Sequence, residues 1–187
     1  MPTFKDHNDR AAAVYATVTA EHWIEALRDG RHVLIRPLED KDREREYAFI
    51  KRLSPESRHM RFLAQINEPS DGLLNTLMDT DNQHRVAYIA LAHENGHLIE
   101  IGISRYAATG KDDCECAVTV ADEWAHLGLG TLLMKHLINA ASKNGYRRMH
   151  SVDAASNTPM RNLVRALGFE SCIDPRDSHQ VIHSRHL

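Results

Sequence analysis

Glu115, the paired glycines Gly128 and Gly130, and Asn157 are the residues of this chain whose types and spacing could do chemistry. The glycines let the backbone turn tightly and approach a ligand closely. A helix starting there leaves its first N–H groups unpaired at the positive end of its dipole, which favours an anion such as a phosphate. The amides from Leu127 through Gly128, Leu129 and Gly130 to Thr131 would converge on that anion. Spacing alone leaves a plain tight turn equally open. Upstream, Glu115 is a lone carboxylate in the otherwise small and apolar run Cys114–Val120. It could be a solvated edge carboxylate. The alternative is a general base, raised in pKa by partial burial so that it takes a proton from an ammonium group near neutral pH. Asn157, ahead of Thr158-Pro159, reads as a helix cap.

The elements that must position these residues follow from hydrophobic period and turn chemistry. Cys114 to Val120 alternates as a strand, with Cys114, Cys116, Val118 and Val120 on one face and Glu115, Ala117 and Thr119 on the other. From Gly128 to about Asn144, Leu129, Leu132, Leu133, His136, Leu137 and Ala140 fall on one helical stripe that packs on a sheet. A strand at Arg148–Val152, a helix from Pro159 to Leu167, and strands near Phe169–Ile173 and Gln180–Arg185 complete the chain. Before the glycines, His32–Arg36 reads as a strand and Asp40 as the cap of a helix through Arg52. Ser54-Pro55 opens one further helix, and Ser70 another through Met78. Arg85–Ala92 and His97–Tyr106 are two strands joined at the hairpin signal Glu94-Asn95-Gly96. Thr19 is placed as the cap of a short helix carrying Trp23, Ile24 and Leu27 and ending at Asp29-Gly30. Antiparallel strands followed by a βαβ unit imply an α/β fold with a mixed, mostly antiparallel sheet flanked by helices. The expected organisation is an N-terminal appendage, 1–30, with a short helix, and one domain, 31–187.

Bulk properties exclude several function classes. A chain of 187 residues can bury one good core. A net charge of −3 and a pI near 6.5 argue against nucleic acid as a partner. No apolar run approaches bilayer-spanning length and the first ten residues hold no signal-peptide core, so no membrane partner and a cytoplasmic protein are expected. Three cysteines, two of them in C-x-C on one strand face, do not make a disulfide framework. Thirteen histidines are scattered without ligand spacing, and no metal is assigned.

The stretch ADEWAHLGLG, Glu115 in its strand, and Asn157 to Phe169 ending in Leu-Gly-Phe, roughly 30 residues beyond the glycines, together resemble the GNAT superfamily of acyl-CoA N-acyltransferases. ADEWAHLGLG resembles its pyrophosphate loop, usually Gln/Arg-x-x-Gly-x-Gly/Ala, and Asn157–Phe169 its second cofactor-contacting segment. Leu27–Asp42, Leu53–Phe62 and Cys114–Trp124 are further similar to the acetyltransferase domain of bacterial Pat-type protein-lysine acetyltransferases. The resemblance implies a GNAT fold with a splayed central strand and acetyl-CoA as co-substrate. It makes Glu115 the catalytic base, and it makes the backbone near Val118 and Val120 the partner of the pantetheine arm, with an amide near Val118 on the oxyanion. Asn157 would also bind the arm. The acceptor it implies is a primary amine, in the first place a protein lysine ε-amine acetylated by direct transfer in a ternary complex, with a small amine as the alternative. A non-catalytic acyl-CoA-sensing module is the rival reading.

Two departures stand out. The family's Gln/Arg falls on Ala125, so the loop has no cation of its own and rests on backbone amides with help from His126. Residues 158–167 contain no tyrosine to protonate the leaving thiolate; Ser156 and His150 are the alternatives, or the thiolate leaves unprotonated. The Ser57–Phe62 segment could line the acceptor cleft, with Arg58 and Arg61 meeting acidic surroundings, or form a solvated basic helix face. Whether the protein is a monomer or a dimer is not written in the sequence.

Overall fold

The computed structural model describes residues 21–187. Its centre is a mixed sheet whose strands lie in the order β1-β2-β3-β4-β5-β6-β8-β7. The strands are β1 (Trp23–Ala26), β2 (His32–Pro37), β3 (Arg85–Glu94), β4 (His97–Ala108), β5 (Asp113–Val120), β6 (Arg148–Ala154), β7 (Glu170–Asp174) and β8 (Asp177–His186). The helices among the described residues are α1 (Arg43–Arg52), α2 (Pro55–Phe62), α3 (Asp71–Met78), α4 (Leu129–Lys143) and α5 (Thr158–Ala166). Every neighbouring pair of strands is antiparallel except β5 and β6, which α4 connects as a βαβ crossover. The expected mixed, mostly antiparallel sheet is therefore found.

The core forms because both faces of the middle strands are covered. In β3 the run Val86–Ala92 is buried throughout, as a strand covered on both faces must be. Leu129, Leu133, Met134 and Leu137 of α4 are each no more than 1 % exposed. Ser104 ties that helix to β4 by donating to the Leu133 carbonyl at 3.2 Å, and Gly102 lies against Leu129 and Leu133, so the face of β4 that carries Gly102 and Ser104 lies under α4. The opposite face meets α1 and α3, since Arg105 bonds Glu46 of α1 and the Leu77 carbonyl of α3, both at 2.7 Å. Ser54 and Ser70 cap α2 and α3 as expected, accepting from Ser57 and Leu73.

Two expectations need correction. Trp23, Ile24 and Leu27 do not lie on a helix: Trp23–Ala26 is an edge strand paired with His32 to Ile35 through a turn. The Thr19 cap falls outside the described residues. The strand wins because Trp23 can stack on His136 of α4 at 4.0 Å and meet Tyr88 edge-on at 5.3 Å, while Glu25 bonds His136 at 2.8 Å. An isolated helical turn could not match those contacts. Asp40 is not the cap before α1 either. Glu39 and Asp42 form a capping box around a 3₁₀ turn, Asp40–Asp42, and the buried Asp42 carboxylate takes two bonds from Arg36 at 2.7 and 2.8 Å.

Beneath α1, Glu100 of β4 is 2 % exposed and neither of its carboxylate oxygens has a hydrogen-bond partner among the described residues. Burial, and then the Glu46 carboxylate beside it, push the Glu100 carboxyl well above its ordinary range. A proton kept on Glu100 gives it a donor toward Glu46. Because the folded pKa is raised, this group's contribution to stability is fully present at acid pH and is lost as pH rises through the raised value. Glu100→Gln, a neutral isostere, is expected to flatten that alkaline loss and leave the protein more stable than wild type above neutrality. Thermal melts between about pH 5 and 9 check it; parallel wild-type and variant curves would show that Glu100 is ionised throughout.

Candidate active site

The sheet opens where β5 and β6 stop pairing. Their register covers Asp113↔Arg148, Cys114↔Met149 and Glu115↔His150 only, although β5 runs on to Val120 and β6 to Ala154. Glu115 and His150 therefore sit at the fork of a V. On its other side β5 stays paired with β4 along its length, and Ala121 N–H bonds the Ile101 carbonyl at 2.9 Å. Alternation then turns the N–H and C=O groups of odd-numbered residues toward β4. Those of even-numbered residues face β6, and beyond the last paired residues the groups of Val118 and Val120 face the gap, with no strand among the described residues to pair them. An extended chain-like ligand could add itself there as a strand.

Side chains divide between the two faces at the same place. Val120 opposes Gly102 and lies under α4, near Gly130. Glu115 shares the face of Arg105, the face that carries α1 and α3. It is exposed and makes no hydrogen bond or ion pair among the described residues. The partial burial expected of Glu115 is thus not found: β6 diverges beside it, and α2, which packs against both β5 and β6, leaves the carboxylate exposed. The burial pattern also inverts along β5: Cys114 and Cys116 are buried, but then Thr119 is buried while Val118 and Val120 are only half-buried. The loss of β6 as neighbour uncovers the valines.

At the far end of β5 the chain passes a 3₁₀ turn, Asp122–Trp124, and enters α4 through His126, with φ 64°, and Gly128, with φ 90°. Gly128 is the N-cap and has no side-chain cap. The amides of Leu127, Gly128, Leu129, Gly130 and Thr131 have no hydrogen-bond partner among the described residues; the first bond into the helix is Leu132 N–H to Gly128 C=O at 3.2 Å. Five successive free donors at the positive end of a 15-residue helix make an anion site. A Cβ on Gly130 would come within 3.3 Å of Leu163 of α5 and 3.7 Å of Val120, so α4, α5 and β5 converge on this point and only glycine fits there without displacement.

Asn157 caps α5, accepting from Met160 N–H at 3.1 Å through Oδ1, and its amide nitrogen is left for another partner. His150 has a buried Nδ1 without a hydrogen-bond partner among the described residues, while Ser156 is exposed on the turn before Asn157. Arg58 is half-buried and donates to the Lys51 carbonyl. Arg61 is half-buried as well. Burial, then nearby Arg105, lower its guanidinium to about 10, against the pull of Glu46, Asp153 and Glu115. It is turned into the cleft beside the candidate base instead of lying on an open basic helix face.

Two features carried no sequence signal. Asp153, three residues past the fork on β6, accepts from Ser151 at 2.7 Å and lies 4.0 Å from His183 Nε2, whose Nδ1 is 2.7 Å from Ser171 Oγ. Burial raises the Asp153 carboxyl and lowers the His183 imidazole. Arg28, in the turn between β1 and β2, reaches the loop before α4: its N–H bonds the Leu127 carbonyl at 3.0 Å and its Nη1 the His126 carbonyl at 3.3 Å. Both depend on contacts between strands or segments far apart in the chain.

Comparison with known proteins agrees with this geometry. The chain is 56 % identical over 177 residues to the acetyltransferase PA5475 of Pseudomonas aeruginosa, covering 94 % of this chain and 95 % of that protein. It is 27 % identical over 144 residues to the acetyltransferase Pat of Mycolicibacterium smegmatis, covering 76 % of this chain and 42 % of Pat. It shares the fold of the GNAT domain of S. lividans PAT, with a TM-score of 0.80 at 24 % identity over 89 % of this chain and 97 % of that domain. The family described as Acetyltransferase (GNAT) family matches residues 34–169. With its splayed strand, its glycine-led helix and that match over most of its length, the chain belongs to the GNAT acetyltransferases, which use acetyl-CoA as co-substrate.

Proposed function

We propose that this protein transfers the acetyl group directly from acetyl-CoA to the ε-amine of a lysine on another protein, with Glu115 as the base. The observation that carries this reading is the position of Glu115. It stands exposed at the fork, on the face of α1 and α3, while the anion-binding amides lie at the end of the gap under α4. An amine can thus approach from one face and the acyl donor from the other. The six residues from Glu115 to Val120 span roughly 17 Å at strand rise, enough for an elongated ligand laid along β5.

Residues 31–187 would form the acetyltransferase domain, with β1 added to its sheet from the preceding segment. The amides of Leu127 to Thr131 would hold the cofactor diphosphate, with the exposed His126 beside them. The backbone groups of Val118 and Val120 would pair with the pantetheine arm, and Asn157 would add its amide nitrogen. Bound in that way, acetyl-CoA supplies an acetyl carbon activated as a thioester. Glu115 would take a proton from the ammonium, directly or through a water. The free amine would form its N–C bond as the C–S bond breaks and CoA departs as the thiolate, which takes up the second proton shed by the nitrogen, with the Val118 amide stabilising the carbonyl oxygen.

The protein acceptor is supported by the exposure of Glu115, which suits a lysine presented on a surface, and by the resemblance to Pat-type domains. Incubating the protein with acetyl-CoA and cell extract is expected to leave acetyl-lysine on a few proteins, read by mass spectrometry and absent with Glu115→Gln. Efficient turnover of a small amine with no protein modified above chemical background would overturn the protein reading in favour of a small-molecule acceptor. Binding of acetyl-CoA without turnover of any amine would point to an acyl-CoA sensor.

A further inference from the structure

The loop before α4 lacks the cation that its family resemblance leads one to expect, since Ala125 stands in that place. The structure brings a cation to the loop from elsewhere. The β1–β2 turn docks on it at two points. Arg31 lies over the Trp124 ring at 3.8 Å and is itself paired with Asp29 at 2.7 Å. Arg28 has no carboxylate partner among the described residues, and both its backbone N–H and its guanidinium donate to the loop, at Leu127 and His126. The Arg28 side chain lies against Gly128, where a Cβ would be 3.5 Å from Nε. Arg28 also precedes residues 34–169, the part of the chain that matches the family.

Peptide geometry says what these bonds do. In a trans peptide the C=O of one residue and the N–H of the next point in opposite directions. With the carbonyls of His126 and Leu127 turned toward Arg28, the N–H groups of Leu127 and Gly128 must point away from it, on the side of the loop that Arg28 does not occupy. Those are two of the five free amides. The guanidinium charge lies against the negative end of the His126–Leu127 peptide dipole, and the Arg28 backbone N–H against that of Leu127–Gly128, which leaves their positive ends dominant on the other side.

We propose that Arg28 is a positioning residue for the diphosphate of acetyl-CoA: from the β1–β2 turn it fixes the His126–Leu127 and Leu127–Gly128 peptides and sets a positive charge behind their free amides. It does not touch the ligand. The proposal rests on the reading of the α4 N-terminus as the diphosphate site, and it makes the β1 hairpin part of cofactor binding.

Calorimetry with acetyl-CoA and turnover of S-acetylpantetheine, which has the acyl arm but no diphosphate, test it together. Arg28→Ala is expected to weaken acetyl-CoA binding about 10-fold, an effect of the size of one charge-assisted contact, and to leave kcat/KM for S-acetylpantetheine unchanged. Arg28→Lys should recover part of the affinity, and Arg28→Gln, a neutral donor, less. The double variant Arg28→Ala with Ala125→Arg, which moves the cation to the position usual in the family, should recover affinity as well. Equal losses with both acyl donors, accompanied by a lower melting temperature, would overturn the proposal by showing a structural role only. Unchanged acetyl-CoA affinity in Arg28→Ala would also overturn it. Failure of the underlying site is read separately, from Gly128→Asp: if that variant binds normally the loop is not the diphosphate site, and if it fails while Arg28→Ala binds normally only the role of Arg28 is lost.

Discussion

Glu115→Gln is expected to lower turnover about 10²–10⁴-fold while leaving acetyl-CoA affinity nearly unchanged. The substitution keeps the size of the side chain and removes its capacity to take a proton. Glu115 makes no bond that holds the fold together, so the variant should melt with wild type. The deficit should shrink as pH rises, because free amine then forms without help from the enzyme. Steady-state rates from about pH 7 to 10, with calorimetry at one pH, separate these effects. A variant as active as wild type at neutral pH would leave Glu115 as an ordinary exposed strand carboxylate and move the search for a base to Asp153, the other carboxylate near the fork.

Gly128→Asp should weaken acetyl-CoA binding on the order of 100-fold, the effect of a new negative charge a few ångströms from a diphosphate at the protein surface. The position has φ 90°, so any side chain is strained there, and the added carboxylate would lie beside Arg28 and cancel its charge. Gly128→Ala carries the strain without the charge and should lose far less. Calorimetry on the two variants, both checked for a cooperative melt, decides the matter. Equal affinities for wild type and the aspartate variant would place the diphosphate elsewhere.

These expectations differ in how far they were legible in the sequence. The α4 N-terminus was visible because its signal is local: two glycines, a preceding strand and a six-position helical stripe lie close together in the chain, and the helix starts one residue after Gly128. The caps at Ser54, Ser70 and Asn157 were equally legible, since a cap is a bond across three residues. The helix expected at Trp23 to Leu27 failed for the complementary reason. A four-residue segment has little preference of its own, and pairing with β2 together with stacking on His136 decided it.

By itself, then, the sequence determined the order of strands and helices after residue 31, the glycine-led start of α4 and the lone carboxylate at position 115. Each is fixed by backbone preference and hydrophobic period over a short span. Only the tertiary structure decided where β5 and β6 part, that Glu115 stands exposed at their fork, that Arg61 turns inward, and that Arg28 backs a loop 98 residues away. Those outcomes are set by the register between strands and by contacts between distant segments. No local pattern of residues encodes either one, because each is settled when the whole sheet and the helices on its two faces pack together.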